Sequence, residues 1–407
     1  MIRPTVSNRI LSLDVLRGIA ILGILLANIQ SFAQPTAAVL MGLGQFDYSG
    51  TEEWVVALRS LLVSGKFRGM LAILFGVGLY LQYQKRKDQG KAWPFGYLTR
   101  TGWLILFGAI HAIFIWYGDI LFLYGLTALL AVMFVRLTDK VLWICITVGF
   151  VITFLVGLLQ AWSMGATTDA GFDLGIEMLT MSGEAQIYAE GTYLQQLSHR
   201  LVIFGLFLFS LLFLLPSTLS LFLFGILIGR HGVLAAPSKN GAWVKGILAV
   251  GLLAVFLNAV PLMIHASGTA TVLDFNMMVD ISFSMLMAPL YLLLGAIAVE
   301  KGSHGFFTRM LENVGRTAFS CYILQSILAT VLFYSWGFGF FNQYDLVEQL
   351  AFVAGIWVVV IVFASLWLQR YQMGPLEWAW RSLSQKRKMP IKRQTEDAAP
   401  MPPPLMR

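Results

Sequence analysis

In the stretch GAIHAIFIWYGDI, residues 108–120, a histidine stands eight positions before an aspartate, across a Trp-Tyr-Gly turn. An imidazole with a carboxylate on one ring nitrogen is a pairing that acid–base chemistry uses. The carboxylate fixes the ring, and the other nitrogen takes a proton from an attacking group. His111 and Asp119 are therefore the candidate catalytic residues. Each also has a plain structural reading: Asp119 as the cap of the helix that follows, and His111 as a packed, hydrogen-bonded side chain. His199, His231, His265 and His304 fall at segment ends or in loops and are weaker candidates. No His/Cys spacing suggests a metal site.

A second set of polar residues interrupts apolar runs. In ILSLDVLRGIAILGILLANIQSF, residues 10–32, Asp14 and Arg17 are three apart and share a helix face. Asn28 follows Arg17 by about three turns and continues that face, with Gly18 beside it for close backbone approach. An internal ion pair that docks this helix is one reading. A polar stripe lining a cavity is the other, because charges inside a membrane usually mark substrate or ion pathways. In SGKFRGMLAILFGVGLYLQ, Lys66 and Arg68 lie near the middle of a long apolar segment, and Arg59 lies nearer its start. Three cations on one span need anions, supplied by Asp14 or by an anionic ligand. Tyr322, Gln325 and Ser326 add polar groups further along, as do Asp280 and Ser282. Asp14, Arg17, Arg59, Lys66, Arg68 and Gln325 are the candidate substrate- or donor-binding residues.

The elements that must position these groups follow from composition. Of 407 residues, 58% are hydrophobic and 12% charged, whereas about a quarter are charged in a soluble domain. The chain is expected to be an all-α, polytopic membrane protein whose main partner is the lipid bilayer. The net charge of +7 is then no sign of nucleic-acid binding, since the basic residues report sidedness instead. Ten segments have the length of a span: 10–32, 53–83, 97–116, 119–135, 141–162, 200–229, 242–264, 277–299, 317–337 and 348–370. The second has a break signal at Ser64-Gly65, and the sixth holds Pro216. With the N-terminus inside, most of the 28 lysines and arginines fall in inner segments, and the outer loops are acidic. Ten spans with both termini inside satisfy this split.

The first segment faintly resembles a secretory signal, but Asp14 and Arg17 fall where its apolar core would begin, so an uncleaved first helix is expected. Cys145 and Cys321 lie in apolar runs and read as small buried residues. Residues 1–383 form one helical domain with an acidic outer insert, 163–198. Residues 384–407 form a basic, Pro-rich tail, expected to be disordered and cytoplasmic. GPLEWAWRSL, residues 374–383, suits a short helix at the inner interface.

Five ordered blocks, LDVLRGIAILGILLANIQ, KFRGMLAILFGVGLYLQ, LILFGAIHAIFIWYGDILFLYGLTALL, VGRTAFSCYILQS and GPLEWAWR, resemble the bacterial YeiB family of inner-membrane proteins over nearly the whole chain. GMLAILFG departs from the Ser-Leu-Phe-Ser type segment expected there. The first block is also similar to the start of a broader transmembrane acyltransferase superfamily. That resemblance implies transfer of an acyl group from a cytoplasmic donor, acetyl-CoA or another acyl-CoA, to a small-molecule or surface-glycan acceptor at the outer face. On that implication His111 would deprotonate the acceptor, Lys66 and Arg68 would hold donor phosphates, and Asp14, Arg17 and Gln325 would line the inner path. The alternative is a transporter or lipid-handling protein with no chemistry.

Overall fold

A computed structural model describes residues 10–40, 46, 48, 50–167, 177–266, 284–302 and 305–393. Asp280, Ser282, His304 and the last residues of the tail lie outside them. Where water is absent, the backbone must pair internally, and helices do so within each segment. The described helices are α1 (Leu11–Ala33), α2 (Thr36–Leu40), α3 (Thr51–Leu62), α4 (Lys66–Asp88), α5 (Phe95–Phe114), α6 (Leu121–Ala131), α7 (Asp139–Thr167) and α8 (Met181–Ala189). There follow α9 (Tyr193–His231), α10 (Gly241–Ala266), α11 (Ala288–Lys301), α12 (Phe306–Arg316), α13 (Ala318–Phe333), α14 (Leu346–Arg370) and α15 (Pro375–Gln385). The only extended pairing among the described residues is a bridge between Tyr371 and Lys392.

Seven helical stretches are long and apolar enough to cross a membrane: Leu11–Ala33, Thr51–Asp88, Phe95–Phe114, Asp139–Leu159, Tyr193–His231, Gly241–Val260 and Leu346–Arg370. Their outer faces keep large apolar side chains exposed, among them Val151, Leu155, Phe209, Leu212, Val358 and Leu366. A belt of that size needs an apolar solvent, and the protein is a multi-pass membrane protein. Three expected segments look different. The fourth is helical only over Leu121–Ala131, about 16 Å at 1.5 Å per residue. The ninth begins at a sharp corner, with α12 and α13 bent by 86°. The eighth is described only from residue 284 onward.

The break expected at Ser64-Gly65 is present. Gly65 has φ +73°, a left-handed conformation that other residues adopt only under strain. The carbonyls freed there find partners: Arg59 accepts from the amides of Val63 and Ser64, Leu62 from the Tyr291 hydroxyl at 2.9 Å, and Ser60 from the Lys66 ammonium. Pro216 leaves α9 continuous over 39 residues.

Helix α1 is central, packed by α4, α11, α12, α13 and α14. Hydrogen bonds define two ends of the bundle. At one, Ser12 bonds the Leu234 carbonyl, Arg230 pairs with Asp139, Ser238 bonds Glu300, and Trp380 bonds the Arg100 carbonyl. At the other, Trp116 bonds the Ser31 carbonyl, Tyr193 the Phe114 carbonyl, and Asn342 the Ala33 carbonyl. We call these the basic end and the hairpin end, the latter after the α5–α6 turn. The insert is shorter than expected, because residues 163–167 belong to α7 and 193–198 to α9.

At the basic end the tail is not loose as far as residue 393. Trp378 donates to the Met389 carbonyl at 2.7 Å, and the Gln372 side chain to the Lys392 carbonyl at 2.8 Å, so the chain folds back on α15. Helix α15 forms as expected, and its Glu377 accepts from the amides of Phe319 and Ser320. It thereby caps the cornered start of α13. Burial pushes the Glu377 carboxyl above its usual range, against the pull of those hydrogen bonds.

Candidate functional site

Helix α5 stops at the hairpin end because the His111 carbonyl accepts two amides, those of Ile115 and Trp116. Trp116 stacks on Phe32 of α1 with ring centroids 3.9 Å apart and bonds the Ser31 carbonyl. The turn is thus fastened to the central helix, and the chain returns at once into α6. This hairpin brings the two candidate catalytic residues together: His111 Nδ1 and Asp119 Oδ1 are 2.8 Å apart, with both side chains 1% exposed. The other carboxylate oxygen, Oδ2, accepts from the Phe122 amide at 2.7 Å. One carboxylate oxygen of Asp119 thus meets the start of α6 and the other meets the histidine.

A carboxylate at Nδ1 sets the ring proton there and leaves Nε2 as the basic nitrogen. Nε2 is buried and has no hydrogen-bond partner among the described residues. The ring packs on Tyr322 at 5.1 Å between centroids, and Tyr322 accepts from the Ile120 amide. From Tyr322 a polar face of α13 climbs through Ser326 to Thr330, each hydroxyl bonding the carbonyl one turn back. Thr330 reaches a cleft of about 410 Å³ at the hairpin end, which Phe114, Ile115, Tyr193, Ile327 and Trp336 also line. Gln325, one turn from Tyr322, is buried with no partner for its amide nitrogen among the described residues.

Asp14 and Arg17 also come together, with Arg17 Nη1 2.9 Å from Asp14 Oδ1. Gly18 does allow the close approach read from the sequence: a Cβ there would lie 2.0 Å from the Leu311 carbonyl oxygen of α12. Arg17 remains 32% exposed, so the pair is worth less than a fully buried one. A double-mutant cycle with Asp14→Asn and Arg17→Gln is expected to give a coupling of about 1–2 kcal/mol, between surface and buried pairs. Additive thermal shifts would show that the two side chains do not act together.

The remaining candidates have separate surroundings. Arg59 donates to the Gln30 side chain at 2.5 Å, and Gln30 in turn donates to Tyr48. Lys66, fully buried, tethers the end of α3 through the Ser60 carbonyl. Arg68 is partly buried with no partner for its Nε among the described residues, while its carbonyl accepts from Tyr124 at 2.5 Å. His231, set aside in the sequence, bonds Asp139 at 2.8 Å on the surface.

The sequence reading missed a buried polar cluster at the hairpin end. Glu184 accepts from the Tyr117 hydroxyl at 3.1 Å and the Ala37 amide at 3.3 Å. Tyr117 also contacts Thr36 at 2.9 Å. Tyr188 meets His199 Nδ1 at 3.1 Å, and Arg200 Nε bonds the Ile113 carbonyl at 2.8 Å. Gln196, His199 and Arg200 are all fully buried. Their spacing of three and four residues was the available signal: it puts all three on one helix face at the start of α9.

A family model described as a protein of unknown function (DUF418) matches residues 228–387. The chain is 29% identical over 416 residues to the uncharacterized protein YxaH of Bacillus subtilis, covering 97% of this chain and 99% of that one. It is 30% identical over 393 residues to the uncharacterized protein YeiB of Escherichia coli, covering 92% and 96%. A 39.9 kDa protein of Bacillus acidopullulyticus is 27% identical over 389 residues, covering 94% and 96%. No solved structure matches.

Proposed function

The chain belongs to the YeiB family, and we propose that it is a membrane-embedded acyltransferase in which His111 is the general base. The observation that carries this reading is the 2.8 Å hydrogen bond from His111 Nδ1 to Asp119, with Nε2 of the same buried ring unpaired among the described residues. In the proposed reaction Nε2 takes the proton of an acceptor hydroxyl or amine as that oxygen or nitrogen attacks the thioester carbonyl of an acyl-CoA. The carbon–sulfur bond breaks, the thiolate receives the proton from the imidazolium, and CoA leaves as the thiol. Asp119 stabilises the imidazolium in between.

The same reading places the protein in the bacterial inner membrane with the basic end in the cytoplasm. The hydrogen bonds at the two ends support ten passes, with the short α6 and α11 each returning the chain to the basic end. Lys85, Arg86 and Lys87 close α4 at that end and would attract an anionic donor. Arg68, with an unpaired guanidinium nitrogen, is the better candidate for donor phosphates. Lys66 already has a structural role at the helix break.

The test follows radiolabelled acetyl groups from acetyl-CoA, using purified protein in vesicles, into the lipid, glycan and small-molecule fractions of the cell envelope. Label entering one fraction is the expected result. If the protein neither binds acetyl-CoA nor moves label, the enzyme reading fails. A transporter reading then takes its place, favoured by the helix interrupted at Gly65 beside buried Lys66.

A further inference from the structure

Among the described residues, five buried polar atoms without a hydrogen-bond partner fall in one place at the hairpin end. They are Nη1 and Nη2 of Arg200, Nε2 of His199, Oε1 of Gln196 and the hydroxyl of Tyr334. All four residues are fully buried. Interiors pair nearly all such groups, and an arginine in a membrane bundle is a heavy load to leave half-satisfied. Holding the α5 terminus explains one of its five donors, the Nε bond to Ile113. It leaves the outer fork of the guanidinium, the part whose geometry matches a carboxylate or a phosphate, with the Tyr188 hydroxyl beside it and the Met178 backbone beside His199.

We propose that Arg200, His199 and Tyr334 form a binding site for an oxyanion, a carboxylate or phosphate, entered from the cleft beside Tyr193. The surrounding groups are suited to that role. Tyr188 can donate to His199 Nδ1, 3.1 Å away, which puts the ring proton on Nε2 and makes it a donor. Burial pushes the Tyr188 hydroxyl upward, with the Arg200 charge pulling the other way, so it stays a neutral donor. The rings of Tyr188 and Tyr334 lie 4.4 Å apart. Gln196 gives its amide hydrogens to Ser335 at 2.8 Å and to the Ile187 carbonyl at 3.4 Å, which leaves its oxygen for a hydroxyl or protonated part of the ligand. Glu184 is the carboxylate of this neighbourhood, held by Tyr117 and the Ala37 amide.

Tyr193 separates the site from the cleft. Its ring lies 5.1 Å from the Arg200 guanidinium, its hydroxyl bonds the Phe114 carbonyl at 2.7 Å, and it lines the cleft together with Thr330 and Trp336. The side chain is 43% exposed. The site does not depend on His111 being a base, since an anionic acceptor or an anionic transported solute would use it equally.

The experiment measures thermal unfolding of the purified protein in phosphatidylcholine nanodiscs. Sodium phosphate and sodium acetate are titrated against sodium chloride at equal ionic strength. A second arm replaces part of the phosphatidylcholine with phosphatidylglycerol. A saturable rise with phosphate or acetate identifies a soluble oxyanion, and a rise only with phosphatidylglycerol identifies a lipid headgroup. Either rise is expected to vanish in Arg200→Met and to need about tenfold more ligand in Tyr334→Phe, which loses one hydrogen bond to a charged partner. No rise with any of the three, or an equal rise in either variant, overturns the proposal. If Arg200→Met does not fold, Tyr334→Phe alone decides.

Discussion

His111→Ala is expected to lower acetyl transfer by about 10²–10⁴-fold, the range a positioned general base supplies, while acetyl-CoA binding stays within a few-fold of the unsubstituted protein. The expectation rests on a ring that is oriented at one nitrogen and unpaired at the other. It also rests on where the ring is held: the α5 terminus, the Trp116–Phe32 stack and the return into α6 leave it little freedom. Asp119→Asn separates the roles of the aspartate. The amide oxygen of asparagine can still accept from the Phe122 amide, so α6 keeps its start. The amide cannot stabilise an imidazolium, and it permits the other tautomer, so transfer should fall with little loss of folded protein. Rates are compared per amount of monodisperse protein, because His111→Ala leaves a buried carboxylate short of a partner. Transfer by His111→Ala at the unsubstituted rate would end the base assignment and leave the ring a structural tie between α5 and α6.

How much of this was legible beforehand depended on range. Features set by neighbours along the chain were readable. The left-handed Gly65 follows from a Ser-Gly pair inside an apolar run, the Asp14–Arg17 pair from a spacing of three, and the α15 helix from its tryptophans and proline. The His111–Asp119 contact was readable because a short turn leaves two residues little room to part. Features set by distant packing were not. Glu184, Tyr188, Gln196, His199, Arg200 and Tyr334 come from α8, the start of α9 and the end of α13; spacing joins only Gln196, His199 and Arg200, and nothing local joins the three elements. His199 and Arg200 looked like residues at the edge of a span because α9 runs far past the length a bilayer needs. The same blindness applies to Lys66. A buried cation suggests a ligand until the Ser60 carbonyl, freed by the break one residue earlier, is seen to need a donor.

Gly315→Val is expected to be the most damaging single change away from the dyad. Helices in a membrane gain little from burying apolar surface against one another, so they associate through close contact at small residues. At the α1–α12 crossing that contact is extreme. A Cβ on Gly315 would stand 1.7 Å from the Asp14 carbonyl oxygen, and one on Gly18 would stand 2.0 Å from that of Leu311. Both obstacles are backbone atoms, so no rotamer relieves the clash and the helices must move apart. That motion also shifts Asp14 and Arg17 and pulls on the corner between α12 and α13, which Glu377 caps from below. Overpacking usually costs 1–3 kcal/mol, and a clash with backbone belongs at or above the top of that range. The unfolding midpoint should therefore fall by roughly 3–4 °C or more, or monodisperse protein should be lost altogether. Gly355→Ala on α14 is the control: a Cβ there meets nothing within 4 Å, and removing a helical glycine should be neutral or slightly stabilising. Equal midpoints for Gly315→Val and Gly355→Ala would mean that α1 and α12 do not cross at these glycines. The account of Asp14 and Arg17 as a pair held beneath that crossing would go with it.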